Sequence, residues 1–322
     1  MKVYYFLMTH RPFKSLMTTN AKLNGIIKGV LVTPLLFLMF SCTTENKNSE
    51  AECGDNQGAR TLNHNGLNRE YILHVPQDYD SSEALPMVFN LHGYGGYAMD
   101  HLAYADMRSL ADQEGFILVY PQGSCLDGDP HWNSFLSGSD NKSEAEDIDF
   151  FFSLMDEINS SYNVDLDRVY VCGYSNGGMM SYALACALSE RVAAIGSISG
   201  TMLDWPEVCA PTHPMPVIIF HGTNDEVLPY QGNSDWSSVP YALNYWVEFN
   251  ELGQTPSQTQ TFSGGSRVVE FESYGPGLNG ASLDLYRVIR GEHYWFDSST
   301  LGFDINEALW DFFNRYDING LR

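Results

Sequence analysis

The sequence predicts an α/β fold, in which helices cover both faces of a mostly parallel central sheet. Short and almost wholly apolar runs recur along the chain, as expected of parallel strands that are buried on both faces. Helix-forming segments separate these runs, and this alternation is typical of the α/β class. Residues 58–322 are long enough for one such domain, and we find no internal repeat and no second domain.

The predicted elements follow one another along the chain as this fold requires. The predicted strands are at about 59–64, 68–75, 86–91, 116–120, 169–173, 193–199, 216–222 and 284–289. The predicted helices are at about 99–114, at 147–161, after residue 176 and at about 304–315. The two earliest strands are expected to be antiparallel. The last helix is expected to bury a core face of Leu309, Trp310, Phe312 and Phe313.

One strand runs directly into a G-x-S-x-G pentapeptide, residues 173–177, and a helix follows at once. This order of strand, sharp turn and helix is the nucleophile elbow of an α/β-hydrolase fold. The turn strains the backbone of the central serine, and it needs small residues on both sides. We therefore predict that Ser175 is a nucleophile, held clear of the sheet at the positive end of a helix dipole.

A nucleophilic serine in this fold needs an acid and then a histidine later in the chain. Asp225 follows the apolar run 216–222, at the sheet edge where open α/β folds place their sites. We predict that Asp225 is the acid, with Glu226 as the alternative. A turn or helix cap is the structural interpretation of Asp225 that remains open.

His293 is the predicted base. The chain has nine histidines, and only His293 combines the right chain order with a strand-end loop and a neighbouring aromatic residue. His92 and His221 both precede a glycine at the end of a strand. We predict that these two are structural hydrogen-bonding residues.

Two backbone N–H groups are expected to stabilise the oxyanion. Asn176 supplies one because it follows the nucleophile, and Tyr94 supplies the other from the glycine-rich loop 92–96. This loop lacks the G-x-G-x-x-G spacing and the P-loop lysine, so it is not expected to hold phosphate. No C-x-x-C motif or histidine cluster suggests a metal, and we predict no cofactor.

With these motifs in place, the chain resembles the secreted esterases related to polyhydroxybutyrate depolymerases and feruloyl esterases, the carbohydrate esterase family one type. The resemblance runs from about Arg60 to the C-terminus, over seven segments in the expected order: REYILHVP (69–76), LPMVFNLHGYGG (85–96), VYPQG (119–123), DIDFFFSLMDEI (147–158), VYVCGYSNGGMMSYALAC (169–186), FHGTNDEVLPY (220–230) and GEHYW (291–295). It implies a serine esterase with Ser175, Asp225 and His293 as nucleophile, acid and base. Glu292 is a departure, since many relatives have a second glycine there.

The expected substrate is a carboxylic ester, with feruloyl or acetyl esters on polysaccharide favoured. No long helical lid is evident, which favours an open cleft suited to esters attached to a polymer. Four aromatic residues are expected to line this cleft, unless they are ordinary core or surface residues: Trp132, Tyr174, Tyr230 and Trp295. Three alternatives stay open: a polyhydroxyalkanoate depolymerase, a prolyl-type serine peptidase and an inactive glycan-binding relative.

The N-terminal region predicts export and a lipid anchor. Residues 1–41 have the basic, apolar and small-residue parts of a signal peptide in order, and they end directly before Cys42. We predict that Cys42 is lipidated, with cleavage by the ordinary signal peptidase as the alternative. The polar segment 42–57 is predicted to be a flexible tether and 58–322 the catalytic domain. The expected location is extracellular, periplasmic or on the cell surface, as a lipoprotein of a bacterial outer membrane.

The net charge of −23 disfavours binding to nucleic acid, so no nucleic-acid partner is expected, and it would repel polyanionic polymers. A monomer is expected. Cys172 and Cys186 are predicted to be buried core thiols. One disulfide is expected among Cys53, Cys125 and Cys209, although the sequence does not determine the pairing.

Overall fold

A ten-stranded sheet lies at the centre of the computed structural model, which describes residues 58–126, 129–135, 141, 143–203 and 209–322. The predicted signal peptide, Cys42 and the predicted tether lie outside these residues. All described residues belong to one unit of the chain, Asn48–Arg322. Among these residues, no helix combines the length and apolar character needed to cross a membrane.

The strands of this sheet are β1 (Arg60–His64), β2 (Leu67–His74), β3 (Leu85–Leu91), β4 (Ile117–Pro121), β7 (Val164–Tyr174), β8 (Ala194–Ile198), β9 (Val217–Gly222), β10 (Gln258–Phe262), β11 (Val269–Tyr274) and β12 (Leu283–Val288). Two short hairpins lie apart from it: β5 (Ser124–Leu126) with β6 (Asp129–His131), and β13 (Tyr316–Asp317) with β14 (Gly320–Leu321). The helices are α1 (Ala98–Tyr104), α2 (Arg108–Glu114), α3 (Asp147–Ser161), α4 (Asn176–Ala187), α5 (Val239–Phe249), α6 (Ser298–Leu301) and α7 (Ile305–Phe313), with a 3₁₀ turn at Leu278–Gly280.

The strand order is β1-β2-β4-β3-β7-β8-β9-β12-β11-β10. The six central strands, from β4 to β12 in this order, pair in parallel. Antiparallel pairs close both edges, β1 and β2 on one side and β11 and β10 on the other. The predicted α/β-hydrolase fold with a mostly parallel sheet is confirmed, as is the antiparallel pairing of the first two strands. The strands β10 and β11 were not predicted.

Both faces of the sheet are covered, because alternate strand residues point to opposite sides. Met87 and Phe89 belong to the apolar layer that includes side chains of α3, α4 and α5, whereas Val88 between them belongs to the layer that includes side chains of α1, α2 and α7. The side chains predicted as the core face of the last helix are all buried in this second layer.

The predicted helix at 99–114 is two helices, α1 and α2. Ala105 leaves the helical conformation with φ −119° and ψ 42°. The Asp106 carboxylate then accepts hydrogen bonds from the backbone N–H of Arg108 at 3.0 Å and from its side chain at 2.9 Å. Because an aspartate that bonds the backbone two residues on favours a turn, the chain restarts a helix at Arg108.

The cysteine predictions are partly wrong. Cys172 in β7 is a buried free thiol, as expected. Cys186, however, is bonded to Cys209 in a disulfide that links the last turn of α4 to the segment before β9. Cys186 is buried as predicted, so the error concerns the bond and not the burial. Cys125 is disulfide-bonded as well.

Candidate active site

Ser175 stands at the junction of β7 and α4 with a positive backbone dihedral angle, φ 54° and ψ −117°. Few residues other than glycine adopt this conformation, so the surrounding structure must hold it. The Ser175 N–H donates to the carbonyl of Ile198 in the neighbouring β8 at 2.9 Å, and its carbonyl begins the hydrogen bonding of α4. These contacts keep the hydroxyl above the carboxyl end of the sheet.

The glycines around Ser175 are required by close backbone approach. A Cβ atom on Gly173 would overlap the backbone of Gly177, and one on Gly177 would overlap the backbone carbonyls of Leu91 and His92. The elbow therefore packs directly against the end of β3 and the loop that follows it. This packing gives the G-x-S-x-G pattern its structural reason.

His293 joins Ser175 to Asp225. Its Nε2 lies 2.9 Å from the Ser175 hydroxyl, and its Nδ1 lies 2.7 Å from Oδ2 of Asp225. A carboxylate only accepts hydrogen bonds, so Nδ1 carries the proton and Nε2 is the acceptor that faces the serine. The three side chains predicted to act together thus form one hydrogen-bonded row, in which Nε2 can accept the hydroxyl proton.

Asp225 is buried, and every oxygen of its carboxylate is bonded. Oδ1 accepts from the N–H groups of Val227 and Leu228 at 2.9 and 2.8 Å. Burial alone would raise the pKa of Asp225, but hydrogen bonds from His221, His293 and the Leu228 amide outweigh it and hold the pKa well below its ordinary value. Asp225 therefore remains a carboxylate. Glu226, the alternative acid, is exposed.

The loop after β3 passes over Ser175. A Cβ atom on Gly93 would lie 3.3 Å from that of Ser175, so only glycine leaves this space open. The Gly93 carbonyl accepts from His92 Nδ1 at 2.7 Å and from the Gly96 N–H at 3.0 Å. In a trans peptide the N–H points opposite to the carbonyl, so the N–H of Tyr94 points away from the His92 ring.

His92 is the structural hydrogen-bonding residue that the sequence predicted. Its Nε2 accepts from the Gly123 N–H at 2.9 Å, which leaves the proton on Nδ1, facing the Gly93 carbonyl. Complete burial lowers the pKa of His92 to about 4, although its bond to Gly93 acts in the opposite direction. The ring is therefore neutral near pH 7 and fixes the loop in one orientation.

The Asn176 side chain clamps the backbone of Trp132, which is a contact that the sequence did not predict. Asn176 Oδ1 accepts from the Trp132 N–H at 2.7 Å, and its Nδ2 donates to the Trp132 carbonyl at 3.1 Å. The Trp132 indole in turn donates to the His92 carbonyl at 3.0 Å. Trp132 therefore bridges the two segments from which the oxyanion donors were predicted.

Two of the four aromatic residues predicted to line the substrate site are buried instead. Trp132 is 2% exposed because its ring packs against His92 and Phe151. Tyr230 is 8% exposed and packs edge-on against His221, below the acid. Neither offers an open face to a ligand.

The other two, Tyr174 and Trp295, are partly exposed. The Tyr174 ring lies 5.1 Å from the His293 imidazole, and its hydroxyl donates to the His293 carbonyl at 2.8 Å. Burial, with a smaller effect of the Asp225 charge, raises the pKa of Tyr174 to about 12. Tyr174 thus supports the base while leaving part of its ring open.

Tyr104 is a further aromatic residue beside the site that the sequence did not predict. Its ring is half exposed and lies edge-on to Tyr174, with 6.3 Å between the ring centres. The buried His101 holds the Tyr104 hydroxyl at 2.8 Å, and Trp295 packs edge-on against the same His101. Because Tyr104 comes from a helix with no recognisable motif, only the tertiary structure brings it next to Tyr174.

Among the described residues, one group has the composition of a cation site: His64, Glu146 and Asp149. Both carboxylates are exposed, and exposed acidic groups are common without an ion. The group lies at the end of the edge strand β1 and includes none of the residues around Ser175.

Comparisons with known proteins show which families and structures this chain resembles. A phospholipase/carboxylesterase family model matches residues 79–262, a span that includes Ser175 and Asp225 and ends before His293. Feruloyl esterase C of Emericella nidulans is 30% identical over 276 residues, which cover 84% of this chain and 98% of that protein. A probable feruloyl esterase C of Aspergillus niger is 28% identical and covers 83% of this chain and 97% of its own length.

The solved structure of an acetyl xylan esterase from Aspergillus awamori aligns with a TM-score of 0.58 at 18% sequence identity. The alignment covers 80% of this chain and 98% of that one. At this identity, the likeness establishes a common fold.

Proposed function

This chain belongs to the phospholipase/carboxylesterase family of α/β-hydrolases and is a carboxylic ester hydrolase, and we propose that Ser175, His293 and Asp225 form its catalytic triad. The observation that carries the proposal is the hydrogen-bonded row in which His293 lies 2.9 Å from the serine hydroxyl and 2.7 Å from the buried carboxylate. A nucleophile, a base and an orienting acid are thereby arranged in the order that acyl transfer requires.

In the first half of the reaction, Ser175 Oγ attacks the ester carbonyl carbon while His293 Nε2 takes the hydroxyl proton. The C–O bond of the ester then breaks, the alcohol leaves with the proton from Nε2, and an acyl-serine remains. In the second half, water attacks the acyl group by the same route, which releases the acid and restores the serine. Asp225 stays ionised throughout and stabilises the imidazolium that forms twice in each cycle.

The oxyanion is proposed to be held by the backbone N–H groups of Asn176 and Tyr94. Two contacts support this assignment: the first residue of α4 follows the nucleophile, and the hydrogen bonds on the Gly93 carbonyl turn the next N–H away from His92. Each donor in such a site contributes roughly 3–4 kcal/mol of transition-state stabilisation.

The preferred substrates are proposed to be feruloyl or acetyl esters carried on polysaccharide. Two relatives covered almost completely by this chain are named as feruloyl esterases, and the similar solved structure is named as an acetyl xylan esterase. The partly exposed rings of Tyr104 and Tyr174, of which Tyr174 directly precedes Ser175, would suit an aromatic acyl group, since offset and edge-on ring contacts stabilise such pairs.

Export and lipidation at Cys42 are proposed as well. The Cys186–Cys209 disulfide supports an oxidising compartment, since such bonds are rare in the cytosol. Radiolabelled palmitate should be incorporated by the native chain and not by a Cys42→Ala variant. Equal incorporation by both would contradict the anchor without bearing on the esterase.

The test of the esterase uses the purified protein with methyl ferulate, p-nitrophenyl acetate, acetylated xylan and a 3-hydroxybutyrate oligomer. Ser175→Ala should reduce turnover of every cleaved ester by about 10⁶-fold, to the level left by binding and the oxyanion hole. Ser160→Ala, the same change on the exposed face of α3, is the control and should match the native protein. A fluorophosphonate should label the native protein and should not label Ser175→Ala.

The preferred ester identifies the substrate branch, with the hydroxybutyrate oligomer standing for the depolymerase alternative. Undiminished turnover in Ser175→Ala would contradict the triad. No turnover of any ester, together with no labelling by fluorophosphonate, would contradict the catalytic assignment as a whole.

A further inference from the structure

A cavity of about 420 Å³ opens beside His293. It is lined by Asn224, Glu226, Val227, Glu292, His293 and Tyr294. Apart from His293, none of these six described residues belongs to the proposed triad or oxyanion hole. The two segments that form the cavity are the loops after β9 and β12, which also supply the acid and the base.

The position of this cavity relative to His293 indicates which half of an ester it would hold. In acyl transfer the imidazole gives its proton to the departing alcohol, so the alcohol must lie against the imidazole. The cavity is lined by His293, whose Nε2 lies 2.9 Å from the Ser175 hydroxyl, so the cavity begins within one side chain of the site of attack. Resting on the proposed function, we infer that this cavity binds the alcohol half of the ester and that Glu226 and Glu292 select a neutral, hydroxyl-rich alcohol.

The lining chemistry fits a sugar hydroxyl surface. Glu226 and Glu292 are both exposed, and carboxylates accept hydrogen bonds from hydroxyl groups. Glu292 already accepts one from the Tyr294 hydroxyl at 2.9 Å, and both residues line the cavity. Asn224 adds an exposed amide, which can both donate and accept.

The same carboxylates disfavour an alcohol that carries a negative charge. No lysine or arginine is among the described residues that line the cavity. The hydrogen bond to Glu292, followed by its charge, raises the pKa of the Tyr294 hydroxyl, and the opposing effect of Arg267 is smaller than either. The field at the cavity mouth is thus negative, in agreement with the net charge of −23 for the chain.

One of the two carboxylates is on the loop after β12 that also carries the proposed base. Glu292 directly precedes His293, where a glycine would leave the cavity without one of its two carboxylates. The protein should therefore prefer esters on neutral glycosyl units over esters on uronic acid units.

The experiment compares three acetyl esters with the same acyl group: those of methyl glucoside, methyl glucuronoside and methyl glucuronamide. The glucuronoside differs in carrying a carboxylate, and the amide replaces that charge with a neutral group of similar size. Repulsion by two exposed carboxylates should make kcat/KM for the glucuronoside about fivefold lower than for the glucoside at low salt. The amide should behave like the glucoside, and added salt should reduce the difference.

The variants Glu292→Gln and Glu226→Gln should each reduce the discrimination, and the double variant should remove it. The matched control is Glu190→Gln with Glu248→Gln, which changes the net charge equally at exposed positions after α4 and in α5. This control variant should keep the native ratio of kcat/KM between the glucoside and glucuronoside esters. Equal rates for the three esters, or a preference that survives in the double glutamate variant of the cavity, would overturn the inference.

Hydrolysis of p-nitrophenyl acetate separates this inference from the proposed function. If that ester is cleaved in a manner that requires Ser175, a missing charge preference contradicts only the alcohol site. If no ester is cleaved at all, the proposed function itself fails.

Discussion

His221 Nε2 lies 3.3 Å from Oδ2 of Asp225, the same oxygen that His293 Nδ1 contacts at 2.7 Å. His221 is completely buried, and its Nε2 also lies 2.8 Å from the Leu228 carbonyl. Since both neighbours accept hydrogen bonds, the proton of this ring is on Nε2. His221 therefore ties the proposed acid to the loop that follows β9, and it fixes the oxygen that orients the base.

Replacing His221 by phenylalanine should lower kcat while changing KM much less. The ring volume is kept but the donor to Asp225 is lost, so the carboxylate is free to turn from His293. One hydrogen bond to a charged group is worth about 1.5 kcal/mol or more, which corresponds to a loss of at least about tenfold. Steady-state kinetics with p-nitrophenyl acetate over a range of pH would measure this. His64→Phe, the same change at a buried edge-strand histidine, is the control, and equal losses in both variants would point to a general packing defect.

Asn176→Ala should weaken the site although the Asn176 backbone donor remains. The change removes both hydrogen bonds to the backbone of Trp132 and leaves that N–H and carbonyl buried without their partners. We expect about 2 kcal/mol less stability in urea unfolding and a lower kcat, because the segment that bridges to His92 loosens. Asn176→Asp keeps the acceptor and should retain more activity than alanine. The same kcat for alanine and the native protein would show that the clamp does not position the oxyanion donors.

The positions of the central strands along the chain were predictable from the sequence, as was the strand-end placement of the three row-forming side chains, because each depends on a local pattern. Buried parallel strands read as apolar runs, and β9 and β12 each end directly before a polar loop. Residues at the carboxyl ends of neighbouring parallel strands must share one sheet edge. Asp225 and His293 were therefore expected near Ser175 from their chain order and from their positions after strands.

Contacts between distant segments were not predictable in this way. Trp132 is an aromatic residue in a loop, which is typical of a binding residue. Its burial depends on contacts with Asn176 and His92, which are 44 and 40 positions away. Cys186 was likewise predicted to be a free thiol from its position on a helix, whereas its disulfide partner Cys209 comes from a segment with no regular pattern. Local periodicity carries no information about such pairs.

Relief of backbone strain should make Ser175→Gly more stable than Ser175→Ala by about 1 kcal/mol, while both variants are inactive. Alanine keeps the Cβ atom at φ 54°, whereas glycine adopts this angle without steric cost. Urea unfolding of the two variants side by side measures the difference. If alanine proves as stable as glycine, the elbow does not store strain at this residue.

Acid should destabilise the protein between about pH 6.5 and pH 4 through His92. Burial lowers the pKa of His92 in the folded state to about 4, from 6.5 in the unfolded chain. Over this window the unfolded state binds the proton and the folded state does not. The contribution of neutral His92 to the free energy of unfolding is therefore fully present above pH 6.5, and up to about 3 kcal/mol is lost as the pH drops to 4. The pKa of Asp225 is also lowered in the folded state, and the stability that this provides is lost only as the pH falls below 3.8, the ordinary pKa of this carboxyl. Unfolding free energies measured across this range should depend less on pH in His92→Gln, and an unchanged slope would contradict the assignment.

Removal of the Cys186–Cys209 bond should destabilise the fold without changing the chemistry at Ser175. The two cysteines are 23 positions apart, and closing a loop of this length restricts the unfolded chain by about 3 kcal/mol. Cys186→Ala combined with Cys209→Ala should lower the free energy of unfolding by roughly that amount. Cys172→Ala is the control because this thiol is free and buried in β7. Its replacement should cost only the packing of one small side chain, and it should leave sensitivity to reducing agents unchanged.

Reducing agent destabilises the native protein in part by breaking the Cys186–Cys209 bond, and the double variant should lack this part of the effect. The kcat of the double variant at low temperature should equal the native value, because the bond lies at the far end of α4 from the nucleophile. A fall in kcat without a fall in stability would show instead that the disulfide positions the elbow.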